Sequence, residues 1–363
     1  MRFMKKFGAQ FKEQLQTMAT DALEDALSGG GSGGEESTSY TDQENAQRLF
    51  EEKKPEAMRN KDVRMISGCE DSQTSADVSN VANFKLPDPA GRAGGACTST
   101  LLKILYNDEE NIPNDTLSFT QVLEEMRSHL ASNGYSQIPQ LTSLNKIDVS
   151  TDFELVPSTA TGTRRAVMIG INYVGHDSGV LSGCHNDVLN MKKYIMEIHG
   201  FQEENITILM DDDIHSPPTK DNMLAAYKQI VSDSEEGDAI FLHYSGHGTK
   251  VRDSSGDEDD GYDEALVPVD YNESGLINDD DLFEILIAPL PDNVHMVSLM
   301  DCCHSGTILD LPYIFKPNND GSMPPSMKLD DTIDLDGLLQ QFGGQALGLL
   351  MNYFQKRFTA GNN

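Results

Sequence analysis

Two short segments combine side chains that could build a nucleophilic catalytic site. SLMDCCHSGT (298–307) ends an apolar run with an aspartate and adjacent cysteines, and HYSGHG (243–248) holds a histidine between glycines. A cysteine nucleophile needs a base near its sulfur, an oxyanion donor and access to solvent. We therefore predict acyl transfer with Cys303 as the nucleophile and His247 as its acid–base partner. The N–H groups of Gly248 and Cys303 are the predicted oxyanion donors.

The same residues leave other chemistries open. His243 and His247 stand four apart and could bind a metal ion, although they belong to an apolar strand pattern without an HExxH motif. Cys302 and Cys303 could bind zinc, but adjacent thiols do not easily reach one tetrahedral ion. The two thiols could also form a redox switch. A buried cysteine pair beside a loop histidine is the purely structural alternative.

The elements that must position these residues alternate between strands and helices from residue 164 to about 315. The strand patterns are RRAVMIGIN (164–172), NITILMDDD, DAIFLHYSGHG and VHMVSLMDCCHSG, and the helix patterns are NDVLNMKKYIMEIHG and TKDNMLAAYKQIVSDS. Apolar strands that alternate with helices predict an α/β fold with a mainly parallel central sheet and helices on both faces. Ligands bind beyond the carboxyl ends of such strands, where both cysteine and histidine segments fall.

The first half of the chain has a different pattern. Residues 1–60 predict an N-terminal helix followed by a flexible Gly/Ser linker, and 61–156 predict a compact region. The elements expected in that region are a strand at DVRMISG, a helix from GGACTSTLLKIL, a helix at LSFTQVLEEMRSHLASNG capped by Ser118 or Thr120, and a strand at FELV (153–156). Residues 316–363 predict a tail with a helix near 335–357, which leaves 61–315 as one domain.

Composition limits the classes of partner. The 363 residues carry a formal net charge of −32, which argues against nucleic acid and anionic lipid and favours cations or basic peptides. The chain has no apolar run long enough to span a membrane, and its N-terminus lacks the apolar region of a secretory signal. Five cysteines do not suggest a disulfide framework. We expect a cytoplasmic monomer.

The ordered motifs resemble those of a known family. HYSGHG, DGYDEALVPVDY, GLINDDDL and DCCHSGTILDLPY, within 164–315, resemble the large-subunit-like region of metacaspases. MISGCEDSQTSADV, GGACTSTLLKIL and SFTQVLEEMRSHL resemble the small-subunit-like region, which precedes the large one in the type III arrangement of algae. The resemblance implies a caspase-like fold and a cysteine endopeptidase that cleaves after Arg or Lys. It also implies that His247 and Cys303 form the dyad and that Cys302 is only a neighbour.

Acidic residues near the dyad suggest a pocket for a basic side chain, which needs a buried carboxylate at its tip. Asp301 stands two residues before Cys303, and alternate strand positions share a face. Asp187 follows the first strand, in a position that also fits a helix N-cap. The resemblance assigns four residues to the pocket that receives Arg or Lys: Cys184, Asp187, Ser245 and Asp301.

Carboxylates are dense at 252–265 and 277–282, although neither segment has the spacing of an EF-hand loop. Solvated acidic loops are the alternative. The resemblance implies Ca²⁺ binding by Asp263, Asp279, Asp280 and Asp310. Because Asp310 follows Cys303 within one loop, we hypothesise that Ca²⁺ activates by aligning that loop.

These observations together predict a Ca²⁺-dependent cysteine endopeptidase whose partners are protein or peptide substrates with Arg or Lys at the cleavage site. The alternatives are a catalytically silent caspase-like scaffold that senses calcium and a thiol redox sensor. The inverted order removes the usual intersubunit linker, so self-cleavage has other candidate sites at Arg164–Arg165, Lys250 and Arg252. A role in programmed cell death is implied by the resemblance alone.

Overall fold

The structure, a computed structural model, describes most of the chain. The described residues are 46–69, 77–78, 93–107, 112–113, 117–252, 262–318 and 321–330, together with a few between 333 and 342. The chain divides into two units, Met1–Leu49 and Phe50–Asn363, and everything below concerns the second. The predicted N-terminal helix, the Gly/Ser linker and most of the predicted C-terminal helix lie outside the described residues.

A central sheet dominates the second unit. The strands of the described residues are β1 (Asp62–Ser67), β2 (Asp77–Val78), β3 (Gly94–Gly95), β4 (Tyr106–Asn107), β5 (Ile112–Pro113), β6 (Gln140–Ser143), β7 (Arg164–Gly170), β8 (Ile206–Met210), β9 (Ala239–Ser245), β10 (Gly248–Arg252), β11 (Tyr262–Leu266), β12 (Ile277–Asn278), β13 (His295–Asp301), β14 (Tyr313–Phe315) and β15 (Lys328–Leu329). Eight of them form one sheet in the order β15-β14-β6-β1-β13-β9-β7-β8. Small sheets are formed by β10-β11-β12, β2-β3 and β4-β5.

The central sheet is mixed but mostly parallel. Neighbours from β1 through β13, β9 and β7 to β8 are parallel, whereas β6, β14 and β15 add antiparallel pairs. Every residue of β9 is buried, and so are all but the first of β13. Because successive side chains point to opposite faces, both faces of these strands are covered. The predicted α/β class with a mainly parallel sheet is confirmed, and the sheet extends into the segment expected to be a tail.

Helices pack on the sheet in two groups. They are α1 (Glu56–Arg59), α2 (Ala96–Leu105), α3 (Phe119–Ser132), α4 (Cys184–His199), α5 (Lys220–Ser232), α6 (Tyr271–Ser274) and α7 (Asp279–Leu282), with further helical turns at 50–53, Glu203–Asn205 and Phe283–Ile287. Helix α2 packs against α3 and α4, while α5 packs against the turn Phe283–Ile287. None of the helices in the described part of the chain is long and apolar enough to cross a membrane.

Local signals explain where the helices begin and end. Ser118 forms a capping box with Gln121 at the start of α3, since its Oγ accepts from Gln121 N at 3.2 Å and its N–H donates to Gln121 Oε1 at 2.9 Å. Helix α4 ends at Gly200, whose left-handed φ of 63° suits glycine. The Ser118 cap therefore agrees with the sequence pattern.

The predicted strand at 153–156 is wrong. Phe153 and Leu155 are buried and Glu154 is exposed, which is the alternation that suggested a strand. The backbone there is irregular, and among the described residues its nearby pairing is limited to an isolated bridge between Ser118 and Asp152. The alternation instead reflects two apolar side chains that anchor a connecting segment to the core.

The carboxyl ends of three neighbouring strands lie side by side. Gly170 on β7 is in register with Ser245 on β9, and Ser245 is in register with Asp301 on β13. The loops that follow these residues must therefore meet at one edge of the sheet, which we call the catalytic edge.

Candidate active site

The two adjacent cysteines at the end of β13 differ in exposure. Cys302 is 1% exposed, whereas Cys303 is partly exposed. Burial raises the pKa of the Cys302 thiol well above its ordinary value. His304 follows with a positive φ of 51°, so the chain turns sharply after Cys303. A thiolate nucleophile needs access and an ionisable sulfur, and these observations favour Cys303 over Cys302.

His247 follows β9 and is held from several sides. Its Nε2 contacts the carbonyl oxygen of Gly179 at 2.6 Å, and its N–H donates to the Tyr173 hydroxyl at 2.9 Å. The Tyr173 and His247 rings lie 4.6 Å apart between centroids, and the Tyr244 hydroxyl donates to the His247 carbonyl at 2.7 Å. Because a carbonyl only accepts, Nε2 carries the proton and Nδ1 is the nitrogen that can take one from a thiol.

Gly248 brings the histidine segment against the cysteine segment. A Cβ at Gly248 would lie 2.0 Å from the Cys303 carbonyl oxygen and 3.3 Å from Cys302 Sγ, so only glycine fits there. The structure thus places the predicted nucleophile and its predicted base on adjoining loops of the catalytic edge. The roles of the Gly248 and Cys303 N–H groups as oxyanion donors stay a prediction.

Two buried carboxylates lie beside the dyad. Asp187 is 1% exposed and Asp301 is 4% exposed. The Asp187 carboxylate accepts from Gly95 N at 2.7 and 2.8 Å and from Ser245 Oγ at 2.8 Å, and Asp301 Oδ2 accepts from Thr98 N at 2.8 Å. A Cβ at Gly95 would lie 2.2 Å from Asp301 Oδ2 and 2.8 Å from Asp187 Oδ2. The two carboxylates therefore meet at Gly95.

The N-terminus of α2 explains how two acidic groups share this space. Gly95 is the N-cap residue of α2 and Thr98 lies in its first turn, so both carboxylates accept from the positive end of a helix. Asp187 does not cap its own helix, because Gly183 is the N-cap residue of α4. The N-cap alternative for Asp187 is therefore wrong.

Cys184, the fourth predicted pocket residue, is buried as the first residue of α4. Its N–H donates to Asn172 Oδ1 at 3.0 Å. A Cβ on Gly170 would lie 2.7 Å from the Cys184 carbonyl oxygen, so α4 starts directly on the end of β7. The structure thus gathers all four predicted pocket residues at the catalytic edge.

Three of the predicted calcium ligands lie close together. Asp279, at the start of α7, accepts from Glu264 N at 2.7 Å and from Asp280 N at 2.9 Å, and Asp263 accepts from Asn278 Nδ2 at 3.3 Å. Burial, together with the negative charges of Glu264 and Asp263, raises the pKa of Asp279 to about 8. A buried carboxylate among like charges is the setting that a hard cation would relieve.

Asp310 belongs to the loop after Cys303 and is linked to this acidic segment indirectly. Its N–H donates to the Thr307 carbonyl at 2.7 Å, and Thr307 Oγ1 donates to Glu264 Oε2 at 2.7 Å. The carboxylate chemistry of the four residues fits Ca²⁺. Within the described ranges, however, no three His, Cys, Asp or Glu side chains are already arranged to hold a metal ion.

The competing chemistries fare differently. His243 is fully buried inside β9 and contacts Thr98 Oγ1 through Nε2 at 3.3 Å, whereas His247 Nε2 faces Gly179. These separate contacts contradict a shared metal site.

Cys69 is a further cysteine beside Cys302 and Cys303. Its thiol donates to the Cys302 carbonyl at 3.2 Å, and burial, with the nearby Cys303 and Asp301, raises its pKa to about 12.

Four residues of the site escaped the sequence analysis. Gly95 and Thr98 supply the N–H groups that hold the carboxylates, and Tyr173 and Gly179 hold the imidazole. The paired glycines of GGACT before a helix were the available signal for the first two. No pattern marks a tyrosine hydroxyl or a loop carbonyl as a partner of a distant histidine.

Comparison with known proteins gives a consistent family. A family model described as "Metacaspase, peptidase C14 domain" matches residues 164–312, which include His247 and Cys303, and one described as "Caspase domain" matches 4–148. Metacaspase III c of Phaeodactylum tricornutum is 62% identical over 295 residues, which are 81% of this chain and 86% of that relative.

Two other relatives match a shorter part of the chain. Metacaspase-1 of Sclerotinia sclerotiorum is 42% identical over 209 residues, 56% of this chain and 48% of the relative. Metacaspase-1A of Aspergillus oryzae is 48% identical over 160 residues, 44% of this chain and 38% of the relative. The chain therefore aligns with less than half of each of these two relatives, and with most of the Phaeodactylum tricornutum protein.

Proposed function

The chain belongs to the metacaspase family, and from that premise we propose that this cysteine peptidase is Ca²⁺-dependent and cleaves after arginine or lysine. Peptidase activity on protein substrates follows from the family. One observation carries the proposed specificity, namely the pair of buried carboxylates, Asp187 and Asp301, beside the dyad segments.

The reaction uses the two dyad residues in turn. His247 Nδ1 takes the proton of the Cys303 thiol, and the thiolate attacks the carbonyl carbon of the scissile bond. The tetrahedral oxyanion accepts hydrogen bonds from the N–H groups of Gly248 and Cys303. The imidazolium then gives its proton to the leaving amine, which departs and leaves a thioester. Water, deprotonated by His247, hydrolyses the thioester and regenerates the thiol.

The acidic pair suits a basic side chain. A guanidinium group has five N–H donors in a plane and pairs well with two carboxylates, whereas an ammonium group has three donors at one point. Ser245 bonds to Asp187 and Thr98 to Asp301, so both carboxylates are positioned before the substrate arrives. An aspartate side chain in the same place would meet like charges, which excludes the specificity typical of caspases.

Calcium is proposed as the activator because three carboxylates lie close together on a segment that is hydrogen-bonded to the loop of Cys303. The ion would be held by Asp263, Asp279, Asp280 and Asp310. Its positive charge would offset the repulsion between these carboxylates. The Thr307–Glu264 hydrogen bond connects the loop of Cys303 to this segment. The order of the loop would then depend on the acidic segment, without any contact between the ion and the substrate.

Self-cleavage is not proposed at Arg164–Arg165. Both residues lie in β7, where Arg164 donates to the His199 carbonyl and Arg165 pairs with the buried Asp238. A strand in a central sheet cannot enter an active site without unfolding. Lys250 and Arg252 both lie in β10, where Lys250 pairs with Glu264 at 2.9 Å, so self-cleavage at either residue stays a prediction. We propose a cytoplasmic monomer.

Hydrolysis of fluorogenic peptides tests the proposal. Matched peptides ending in Arg, Lys, citrulline or Asp are compared with Ca²⁺ and with chelator, for wild type, Cys303→Ser and Asp301→Asn. We expect cleavage after Arg and Lys that needs both Ca²⁺ and Cys303. We expect Asp301→Asn to lose most of its preference for Arg over citrulline.

Other outcomes would point to other functions. A folded, reduced protein that cleaves nothing but changes its unfolding temperature with Ca²⁺ would be a calcium-sensing scaffold. Oxidant-dependent disulfide formation without turnover would indicate a redox sensor. Equal rates in Ca²⁺ and chelator would remove calcium from the proposal and leave the peptidase.

A further inference from the structure

The loop between β7 and α4, residues 172–181, presents exposed apolar side chains next to the catalytic histidine. Val174 is 61% exposed and Val180 is 56% exposed. The loop is closed by the N–H of Leu181, which donates to the Asn172 carbonyl at 2.9 Å. Val174 and Val180 therefore stand near the two ends of one closed loop.

Both valines adjoin residues that hold the imidazole. Val174 follows Tyr173, whose hydroxyl and ring contact His247, and Val180 follows Gly179, whose carbonyl bonds to His247 Nε2. A Cβ at Gly179 would lie 3.3 Å from His247 Nε2, so the loop runs directly against the imidazole ring. Each exposed valine is thus next in sequence to a residue that contacts the imidazole.

Hydrogen bonds to Asp211 and a ring contact with Tyr271 hold the loop in place. Asp211, at the end of β8, accepts from Asn172 N at 2.9 Å and from Val174 N at 2.8 Å, and it pairs with His185 at 2.6 Å. The His176 ring stacks on Tyr271 with centroids 5.6 Å apart and gives the loop an aromatic flank. A supported loop presents its side chains in one arrangement, which suits a binding surface.

The chemistry of the dyad decides which part of a substrate reaches this loop. The imidazolium must donate its proton to the leaving amine, so the amine nitrogen lies within hydrogen-bonding distance of His247. The strand order places β13 with Cys303, β9 with His247 and β7 with this loop side by side. A substrate that crosses from Cys303 to His247 therefore continues onto residues 172–181 with the segment that follows the scissile bond.

We propose that Val174 and Val180, flanked by His176 and Tyr271, form a subsite that prefers an apolar side chain on the first residue after the scissile bond. The inference rests on the proposed peptidase function. The loop carries Asp177 and no lysine or arginine, so its charge disfavours an acidic side chain. Continuity with the dyad fixes the occupant as this part of the substrate.

The test uses internally quenched peptides that differ only in the residue after a fixed Arg. Leucine and asparagine have nearly the same shape, so their ratio of kcat/KM measures apolarity rather than size. For wild type we expect leucine to be favoured about tenfold, in the range of hydrophobic subsites. The double variant Val174→Ser/Val180→Ser should bring the ratio close to one. Thermal unfolding of each variant verifies the fold.

Leu189→Ser is the matched control, because it introduces the same new residue, serine, in place of an exposed apolar side chain on α4. It should keep the wild-type ratio. A wild-type ratio near one, or an unchanged ratio in the double variant, would overturn the subsite while leaving the peptidase intact. Absence of cleavage of both peptides by wild type would overturn the peptidase and the subsite together.

Discussion

Replacing Gly95 with alanine would test the acidic pair with a single methyl group. The new Cβ would lie 2.2 Å from Asp301 Oδ2 and 2.8 Å from Asp187 Oδ2, closer than real Cβ atoms come to any neighbour. Neither carboxylate is free to move, since Asp301 accepts a hydrogen bond from Thr98 N and Asp187 accepts one from Gly95 N. At least one carboxylate must therefore leave its position.

The cost has two parts. Overpacking in a buried site costs about 1–3 kcal/mol. Displacement of Asp301 also leaves the Thr98 N–H buried without its acceptor, at about 1–3 kcal/mol. We expect the free energy of unfolding to fall by about 2–6 kcal/mol. Because a misplaced partner of a buried charge costs at least about 2 kcal/mol in binding, kcat/KM for Arg peptides should drop about 30-fold or more.

The assay compares Arg and citrulline peptides, alongside unfolding in denaturant. Gly134→Ala is the control, because its Cβ would meet nothing within 4 Å and carries only the cost of a φ of +83°, about 1–2 kcal/mol. The control should keep the preference for Arg. A Gly95→Ala protein with wild-type stability and a preference for Arg within threefold of wild type would refute the view that both carboxylates meet at Gly95.

Three further perturbations address the rest of the site. Tyr173→Phe removes the hydroxyl that accepts the His247 N–H, so kcat should fall about tenfold while KM changes little, and a change confined to KM would contradict this positioning role. Thr307→Val removes the hydrogen bond to Glu264, so the Ca²⁺ concentration for half-maximal activity should rise about fivefold, which is the equivalent of one hydrogen bond. An unchanged Ca²⁺ titration would show that this hydrogen bond does not couple the loop of Cys303 to the acidic segment. Burial lowers the pKa of His243 to about 3, so as the pH falls the unfolded chain binds a proton at this residue before the folded chain does. The contribution of the neutral His243 to the free energy of unfolding is therefore lost progressively as the pH drops from about 6.5 toward 3. The stability difference between wild type and His243→Phe should therefore shift by about 1.6 kcal/mol from pH 6.5 to 5 in denaturant titrations, and a constant difference would argue against a neutral buried imidazole.

The strands that end at the catalytic edge could be read from the sequence, because long apolar runs with turn residues after them are a strong signal. The segments of His247 and Cys303 and the acidic positions Asp187 and Asp301 followed from where those runs stop. The difference in burial between Cys302 and Cys303 then supported the choice of Cys303, which the sequence had already favoured. The local capping box at Ser118 was equally readable, since all its atoms lie within one turn.

Contacts between distant segments could not be read in the same way. Gly95 meets Asp301 across 206 positions only because α2 and β13 pack together, and a single sequence does not encode which helix end faces which strand. The alternation at 153–156 misled for a related reason, because burial of Phe153 and Leu155 needs no partner strand. A local sequence pattern indicates which side chains are buried, whereas the pairing of strands depends on the whole fold.

The position of β1 has a consequence for how the protein is made. Asp62 in β1 is in register with His295 in β13, which is 233 residues later, and β1 lies between β13 and β6 in the sheet. A ribosome therefore releases β1 long before its partner exists, and contacts of such long range fold slowly. The nucleophile and half of the acidic pair reside on or just after that late strand. A growing chain therefore cannot bring Cys303 against His247 until β13 and the residues just after it have been synthesised.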